Sequence, residues 1–294
     1  MKYGIREICD VVFRAKAPHK IGKKQFYKDE PVLYFDTLKT STLEGAVTTV
    51  YAQGGKGNSR LVGWDGEKTV TFTMEDALIS KESLAILTGA EVVEASSGNP
   101  LYQHITFNAE TDADGAISLP EGVNFQFTDI FADNNHKIYV FEIDDQGNLI
   151  SEAYIYTKGT DELEIGTDST YLTTEGPKSK DVLVDLYIKK EKGVQYNIGT
   201  EAIGHNYYIE GSTLFRTPAG EDVPAEFIIP NGKVQTNFTF TMASTGDPST
   251  FTFTVDAFPD SVKGKTEKVF SAIQVLEDNT STATEATRTN TPAI

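Results

Sequence analysis

The sequence predicts a mainly β protein with one short flanking helix, and three observations carry that prediction. Apolar and polar residues alternate with period two in segment after segment. β-Branched and aromatic side chains are abundant, with 17 Phe and 13 Tyr in 294 residues. Clusters of Gly, Asn, Asp and Pro separate the alternating runs, as turns between strands require. A chain of this length can bury roughly 75% of the surface its unfolded form exposes, enough for one large domain or two modest ones.

In order along the chain, strands are predicted over residues 7–13, 33–35, 68–74, 103–107, 123–127, 137–143, 149–156, 182–189, 195–198, 207–209, 225–229, 234–242 and 250–258. Residues 144–148 (DDQGN), 230–233 (PNGK) and 244–248 (STGDP) read as compact hairpin connections. One helix is marked by its ends. Ser80 is a natural N-cap, Glu82 lies in the first turn where the dipole favours an anion, and Gly89 supplies a left-handed stop. So short a helix depends on packing, for which Leu84 and Leu87 are the candidates. Residues 269–276 form a second helix candidate. From Glu277 the sequence changes to EDNTSTATEATRTNTPAI, with six threonines in eighteen residues and almost nothing large and apolar. Such a tail cannot bury enough surface to offset its ordering entropy. The expected division is therefore a β-domain over 1–276, with 105–185 an inserted or enlarged β-region, followed by a flexible tail over 277–294.

Charge and cysteine usage exclude several classes. There are 26 Lys and Arg against 43 Asp and Glu, a net charge of −17, and one cysteine, Cys9. A lone cysteine forms no intrachain disulfide and no multi-cysteine metal site. Net acidity argues against broad attraction to nucleic acid, which needs clustered cations. No signal-peptide core interrupts the charged N-terminus and no stretch approaches the ~20 apolar residues of a membrane helix, so the expectation is a soluble protein folded in a cytoplasm. The charge is also divided. Residues 1–28 hold Lys2, Arg6, Arg14, Lys16, Lys20, Lys23, Lys24 and Lys28 against Glu7 and Asp10, a net of +6 that leaves −23 for the rest. Either this is a solvated lysine-rich loop or a docking arm for an acidic surface.

Chemistry-bearing motifs are scarce. His19, His104, His136 and His205 show no metal-ligand spacing, and neither a GxSxG elbow nor a GxxxxGK[ST] loop occurs. The run Gly54 to Arg60 resembles a phosphate cradle but leads into strand-like residues rather than a helix N-terminus. Glu110, Asp112, Asp114 and Glu121 match part of a calcium-loop rhythm; their flanks read as strands where that loop needs helices, so an acidic turn is the competing reading. Paired carboxylates for glycoside hydrolysis cannot be located among 43 acidic residues. No cofactor and no catalytic constellation is expected.

Three segments, residues 69–78, 237–242 and 250–258, alternate Thr with an apolar residue, so each strand would bury one row and present hydroxyls on the other. Any half-exposed antiparallel sheet shows such a pattern. The stretch 51–80, YAQGGKGNSRLVGWDGEKTVTFTMEDALIS, followed by the short helix, and the closing run 236–260 resemble the tail tube proteins of tailed bacteriophages. What the resemblance implies is a tail-tube-like β-sandwich or barrel, six copies per ring, and rings stacked into a hollow tube that conducts DNA. The implied partners are further copies of itself, other tail proteins (tape measure, sheath, terminator) and passing viral DNA without specific binding, with no membrane. The implied location is the virion tail, reached from the host cytoplasm.

On that reading Thr71, Thr73, Glu75, Thr239, Thr241, Thr252, Thr254 and Asp256 line the lumen, and Lys16, Lys20, Lys23 and Lys24 lie on a loop that reaches the next ring. A one-residue register slip inverts such faces. The competing class is a carbohydrate-binding or adhesive β-sandwich, such as a phage receptor-binding or decoration protein, with Trp64 and the tyrosines as stacking platforms; Trp64 as a core or interface residue is the alternative.

Overall fold

The computed structural model describes residues 2–5, 7–166, 176–200, 204–240, 244 and 250–276. Strand accounts for 56% and helix for 4%, and among the described residues no sheet closes into a barrel. In chain order the elements are β1 (Gly4–Ile5), β2 (Asp10–Ala15), β3 (His19–Ile21), β4 (Lys24–Phe26), β5 (Pro31–Phe35), β6 (Leu38–Gly54), β7 (Ser59–Asp76), α1 (Lys81–Thr88), β8 (Glu91–Glu94), β9 (Leu101–Glu110), β10 (Ile130–Phe131) and β11 (Ile138–Glu142). There follow β12 (Tyr154–Lys158), β13 (Leu163–Ile165), β14 (Asp181–Lys190), β15 (Val194–Asn197), β16 (Asn206–Arg216), β17 (Asp222–Val234), β18 (Phe251–Ala257), β19 (Asp260–Ser261), β20 (Lys268–Val269) and β21 (Ala272–Val275). Two compact units result, one of residues 1–92 and 196–294 and the other of residues 93–195. Segment 105–185 lies within the second.

The first unit is built on an antiparallel sheet in the order β5-β2-β16-β17-β18-β7-β6, with β1 added to β16 and β21 to β17. Alternation sets its core. Val11, Phe13 and Ala15 of β2, Phe72 and Met74 of β7, and Phe253 and Val255 of β18 are all buried, while the residues between them are not. Edge-to-face contacts of Phe35 with Phe13 (5.4 Å) and Phe253 (5.1 Å) tie three strands together. Helix α1 has the caps its sequence specifies: Ser83 N–H donates to Ser80 Oγ at 3.0 Å, Ser80 N–H donates to Ser83 Oγ at 2.7 Å, and Gly89 adopts φ 64°. It buries Ala85, Ile86 and Leu87, with Ile86 taking the place expected of the half-buried Leu84.

The second unit carries an antiparallel sheet in the order β10-β14-β11-β12-β13, with β9 on β14. Its core consists of Val182, Val184, Leu186 and Ile188 of β14 packed with Ile117, Ile138, Val140 and Leu163. Tyr156 is buried there with its hydroxyl donating to Gly115 O at 2.7 Å, and burial pushes that hydroxyl up to about 12. In the 144–148 hairpin, Asn148 Nδ2 donates to Asp144 Oδ2 at 2.9 Å and Asp144 Oδ1 accepts from the N–H groups of Asn148 and Gln146, which together hold its carboxyl below the usual range.

Several sequence-based elements differ. The first long strand runs over Asp10–Ala15 rather than 7–13. Residues 123–127 form no strand, because Asp129 Oδ2 takes the Gln126 N–H (2.9 Å) that a ladder would use and closes a 3₁₀ turn at Phe127–Asp129. The strand placed at 149–156 starts at Tyr154, since Glu142 N–H donates to Ser151 Oγ instead. The 269–276 helix candidate is extended: β21 pairs with Ala225–Ile228 of β17. The 230–233 turn is instead inside β17. At Pro230, which has no N–H to donate, β17 exchanges β21 for β18 as its neighbour. Gly232 lets Val255 and Ile209 close in, where a Cβ would meet their side chains at 2.7 and 2.8 Å. The 244–248 connection and the 277–294 tail lie largely or wholly outside the described residues.

Candidate self-assembly surfaces

Strands β6 and β7 form a hairpin of 17 and 18 residues whose far half has no core beneath it. From residue 45 to residue 69 every side chain is exposed except half-buried Ala52 and Gly54. Register sorts this ribbon into two faces. Val50 lies opposite Trp64 and Ala52 opposite Val62, so these share one face, and Leu61, displaced by a bulge, lies beside Gly54 on it. The other face carries Thr49, Asp65, Tyr51 and Arg60, whose guanidinium sits 4.1 Å from the Tyr51 ring centroid. Trp64 is thus neither core nor covered, at 57% exposure. The Gly-rich run, which leads into a strand as its sequence indicated, is the hairpin tip: Gly55, Gly57 and Asn58 all take positive φ, and Asn58 N–H donates to Gly55 O. A two-stranded ribbon with one bare apolar face is marginal alone, which makes this face a candidate contact surface.

A second surface lies on the side of the sheet away from the core. Thr71, Thr73 and Glu75 of β7 stand opposite Asp256, Thr254 and Thr252 of β18, and opposite Glu44, Thr42 and Thr40 of β6 on the other flank. The result is a three-strand face of six hydroxyls and three carboxylates, exposed or half-buried throughout. Asp256 accepts from Gln235 Nε2 at 2.9 and 3.0 Å. Thr239 is exposed on a segment with no ladder partner, where it borders Thr250, Thr252 and Thr254, while Thr241 lies outside the described residues. The 237–240 alternation is therefore not a strand: alternation supplies a face, but β17 releases β18 after Gln235 N–H donates to Thr254 O.

The four lysines divide. Lys20, Lys23 and Lys24 sit on the β3–β4 hairpin, turned at Gly22 with φ 58°, and Lys24 Nζ lies 4.4 Å from the Phe26 ring centroid. Lys16 is engaged within the chain, donating to Asp260 Oδ2 and, at 2.8 Å, to Pro230 O. Its ammonium holds the Asp260 carboxyl below the usual range. Among the described residues the sheet path ends at β5 and β6, each with a ladder partner on one side.

Of the calcium-loop residues, Asp112 and Asp114 form a turn, while Glu121 lies in a separate turn beyond the Ile117–Leu163 bridge. Asp112 Oδ1 accepts from Asp114 N–H (2.9 Å) and Ala116 N–H (2.8 Å), and Glu110 ends β9 opposite Asp181. Among the described residues no three His, Cys, Asp or Glu side chains are grouped to hold a metal ion, and no helix is long and apolar enough to cross a membrane.

The model of the YomU/Tube protein family matches residues 19–271, a span that takes in the ribbon, the hydroxyl face and the second unit. The chain belongs to the YomU/Tube protein family. No curated protein matches it. With its β-rich fold, family membership makes it a phage tail tube protein, a structural component of the virion tail. In this tube-family chain the sequence reading missed β6, and with it Thr40, Thr42, Glu44 and the ribbon's apolar face. The signal that could have located them is the Gly55-Lys56-Gly57-Asn58 turn between two β-branched runs.

Proposed function

We propose that this chain is the repeating unit of a hollow tail tube, in which six copies close a ring, rings stack, and DNA passes along the hydroxyl and carboxylate face. The observation that carries the reading is the bare apolar face of the β6–β7 ribbon, on a sheet whose two edges, β5 and β6, are open among the described residues. Different edges on one molecule suit heterologous contacts, which close into rings when the rotation allows. Glu44, Glu75 and Asp256 give the hydroxyl face a sign that repels phosphate, so a passing duplex would slide rather than bind. Assembly would take place in the host cytoplasm, with other tail proteins meeting the tube at its ends and along its length. Light scattering and negative-stain microscopy across a concentration series test the reading: rings or tubes are expected, and a chain that stays monomeric throughout overturns it.

One observation favours a second reading, a carbohydrate-binding role for the second unit. On the face of its sheet away from the core, Tyr102 stacks on Phe131 at 4.6 Å and His136 meets the Tyr187 ring at 5.0 Å, beside the His104–Asp185 pair at 2.8 Å. Glycan-array binding by dispersed monomers would support this role over the tube.

A further inference from the structure

We propose that the tip of the β6–β7 ribbon docks into an acidic groove on the first unit of a second copy of this chain, an inference that rests on the assembly reading above. The groove, of about 490 Å³, has the three carboxylates Glu7, Asp10 and Glu226 and an apolar floor that includes Ile8, Leu214 and Leu276; no Lys or Arg is among its described lining residues. All three apolar side chains are exposed, so this floor, like the ribbon face, has no partner among the described residues. Burial and the nearby Glu210 raise the Glu226 carboxyl above its usual range, and Lys263 only partly offsets them.

The ribbon tip is the chemical complement. Its apolar face presents Leu61 and Val62, and its only charged residues between positions 51 and 64 are Lys56 and Arg60. A cationic apolar finger matched to an anionic apolar groove gains from area and charge together, and like-charged alternatives are rejected. The other candidate occupant within the chain is the segment after Leu276. It opens with Glu277 and Asp278 and carries almost no large apolar residue, which suits this groove poorly.

The test uses two full-length variants and their mixture. Lys56→Glu with Arg60→Glu gives a copy whose tip and groove are both acidic, and Glu7→Lys with Glu226→Lys gives one whose tip and groove are both basic. Each variant alone is expected to need at least tenfold more protein than wild type to assemble, and an equimolar mixture to recover wild-type assembly with the two copies alternating across the contact. Circular dichroism checks each fold; if a reversal unfolds the chain, the neutral Arg60→Gln and Glu226→Gln variants are used, each expected to raise the assembly threshold severalfold. Wild type that assembles while the mixture stays dispersed, a reversed variant that assembles alone, or neutral variants with unchanged thresholds would overturn the docking and leave the tube standing. A wild-type chain that never assembles overturns the tube, and the docking with it.

Discussion

Val50 and Trp64 stand directly opposite each other across the β6–β7 ladder, on the same face, at 64% and 57% exposure. A tryptophan in that position does little for the fold of its own chain. Trp64→Ala is therefore expected to change unfolding stability by no more than about 0.5 kcal/mol. As an exposed aromatic anchor it should instead cost about 2 kcal/mol per assembled contact, a roughly 30-fold rise in the concentration needed for assembly. Denaturant titration of the monomer and sedimentation of the assembled material measure the two effects separately.

Lys16 and its three hairpin neighbours should respond differently to substitution. Lys16 bridges Asp260 and Pro230 O, so Lys16→Ala removes two hydrogen bonds at a half-buried site and should destabilise the chain by about 1–2 kcal/mol. Because the pair depresses the Asp260 carboxyl, its contribution is present above the unfolded carboxylate range and lost as pH falls through the folded value. Exposed Lys20 should tolerate Glu with stability unchanged, and only assembly should respond, whereas Lys24→Glu also loses the cation over the Phe26 ring. Equal destabilisation by Lys16→Ala and Lys20→Glu in thermal melts would contradict this division.

What could be read from the sequence was what neighbouring residues settle among themselves. Ser80 and Gly89 cap α1 through contacts within a few residues, and Thr71, Thr73 and Glu75 share a face because the strand period is two. Where long-range pairing decides, the sequence misleads. Pro230-Asn231-Gly232 has turn chemistry, but the same residues serve where a strand changes neighbours, and only the positions of β21 and β18 reveal it. The ribbon was missed for the opposite reason: with water on both faces, residues 45–54 show no sustained alternation to find. Cationic residues of the first 28 read as one arm, yet Lys16 reaches a partner 244 positions away.

The hydroxyl face supplies a prediction about DNA. Thr73 and Thr254 are paired in register and half-exposed, away from the core, so lysine at both should leave the fold intact. In an assembled tube, two added cations per copy would give a repeating row of phosphate contacts. Assembled Thr73→Lys/Thr254→Lys protein is expected to retain duplex DNA in low salt and release it as salt rises, where wild type retains none. Filter binding at two ionic strengths measures it.

Close approach at Gly211 makes a purely structural prediction. A Cβ there would meet the Phe227 ring at 2.2 Å, with β16 and β17 paired at that very position. Gly211→Ala must push the ring off its packing against Phe72, 4.8 Å away between centroids, and should cost about 1–3 kcal/mol. Adding Phe227→Leu should recover part of the loss, as chemical denaturation of the two variants would measure.

His19 and His205 stack in the first unit with ring centroids 4.2 Å apart, and His205 supplies a prediction about mild acid. His19 is 6% exposed, and its Nδ1 lies 3.1 Å from Ala17 O while its Nε2 has no partner among the described residues. His205 lines a cavity of about 360 Å³ with Lys20, Glu91 and Tyr207, and burial together with His19 lowers its proton affinity below that of a free imidazole. A depressed folded value means that the unfolded chain binds the proton first as pH falls. The contribution of His205 to stability is therefore complete above the unfolded value near 6.5 and is lost as pH drops from there toward the folded value. Thermal melts between pH 7.5 and 5 should show a falling midpoint in wild type and a smaller fall in His205→Asn, whose side chain has no proton to take up. If the two profiles run parallel, the acid sensitivity belongs to other groups.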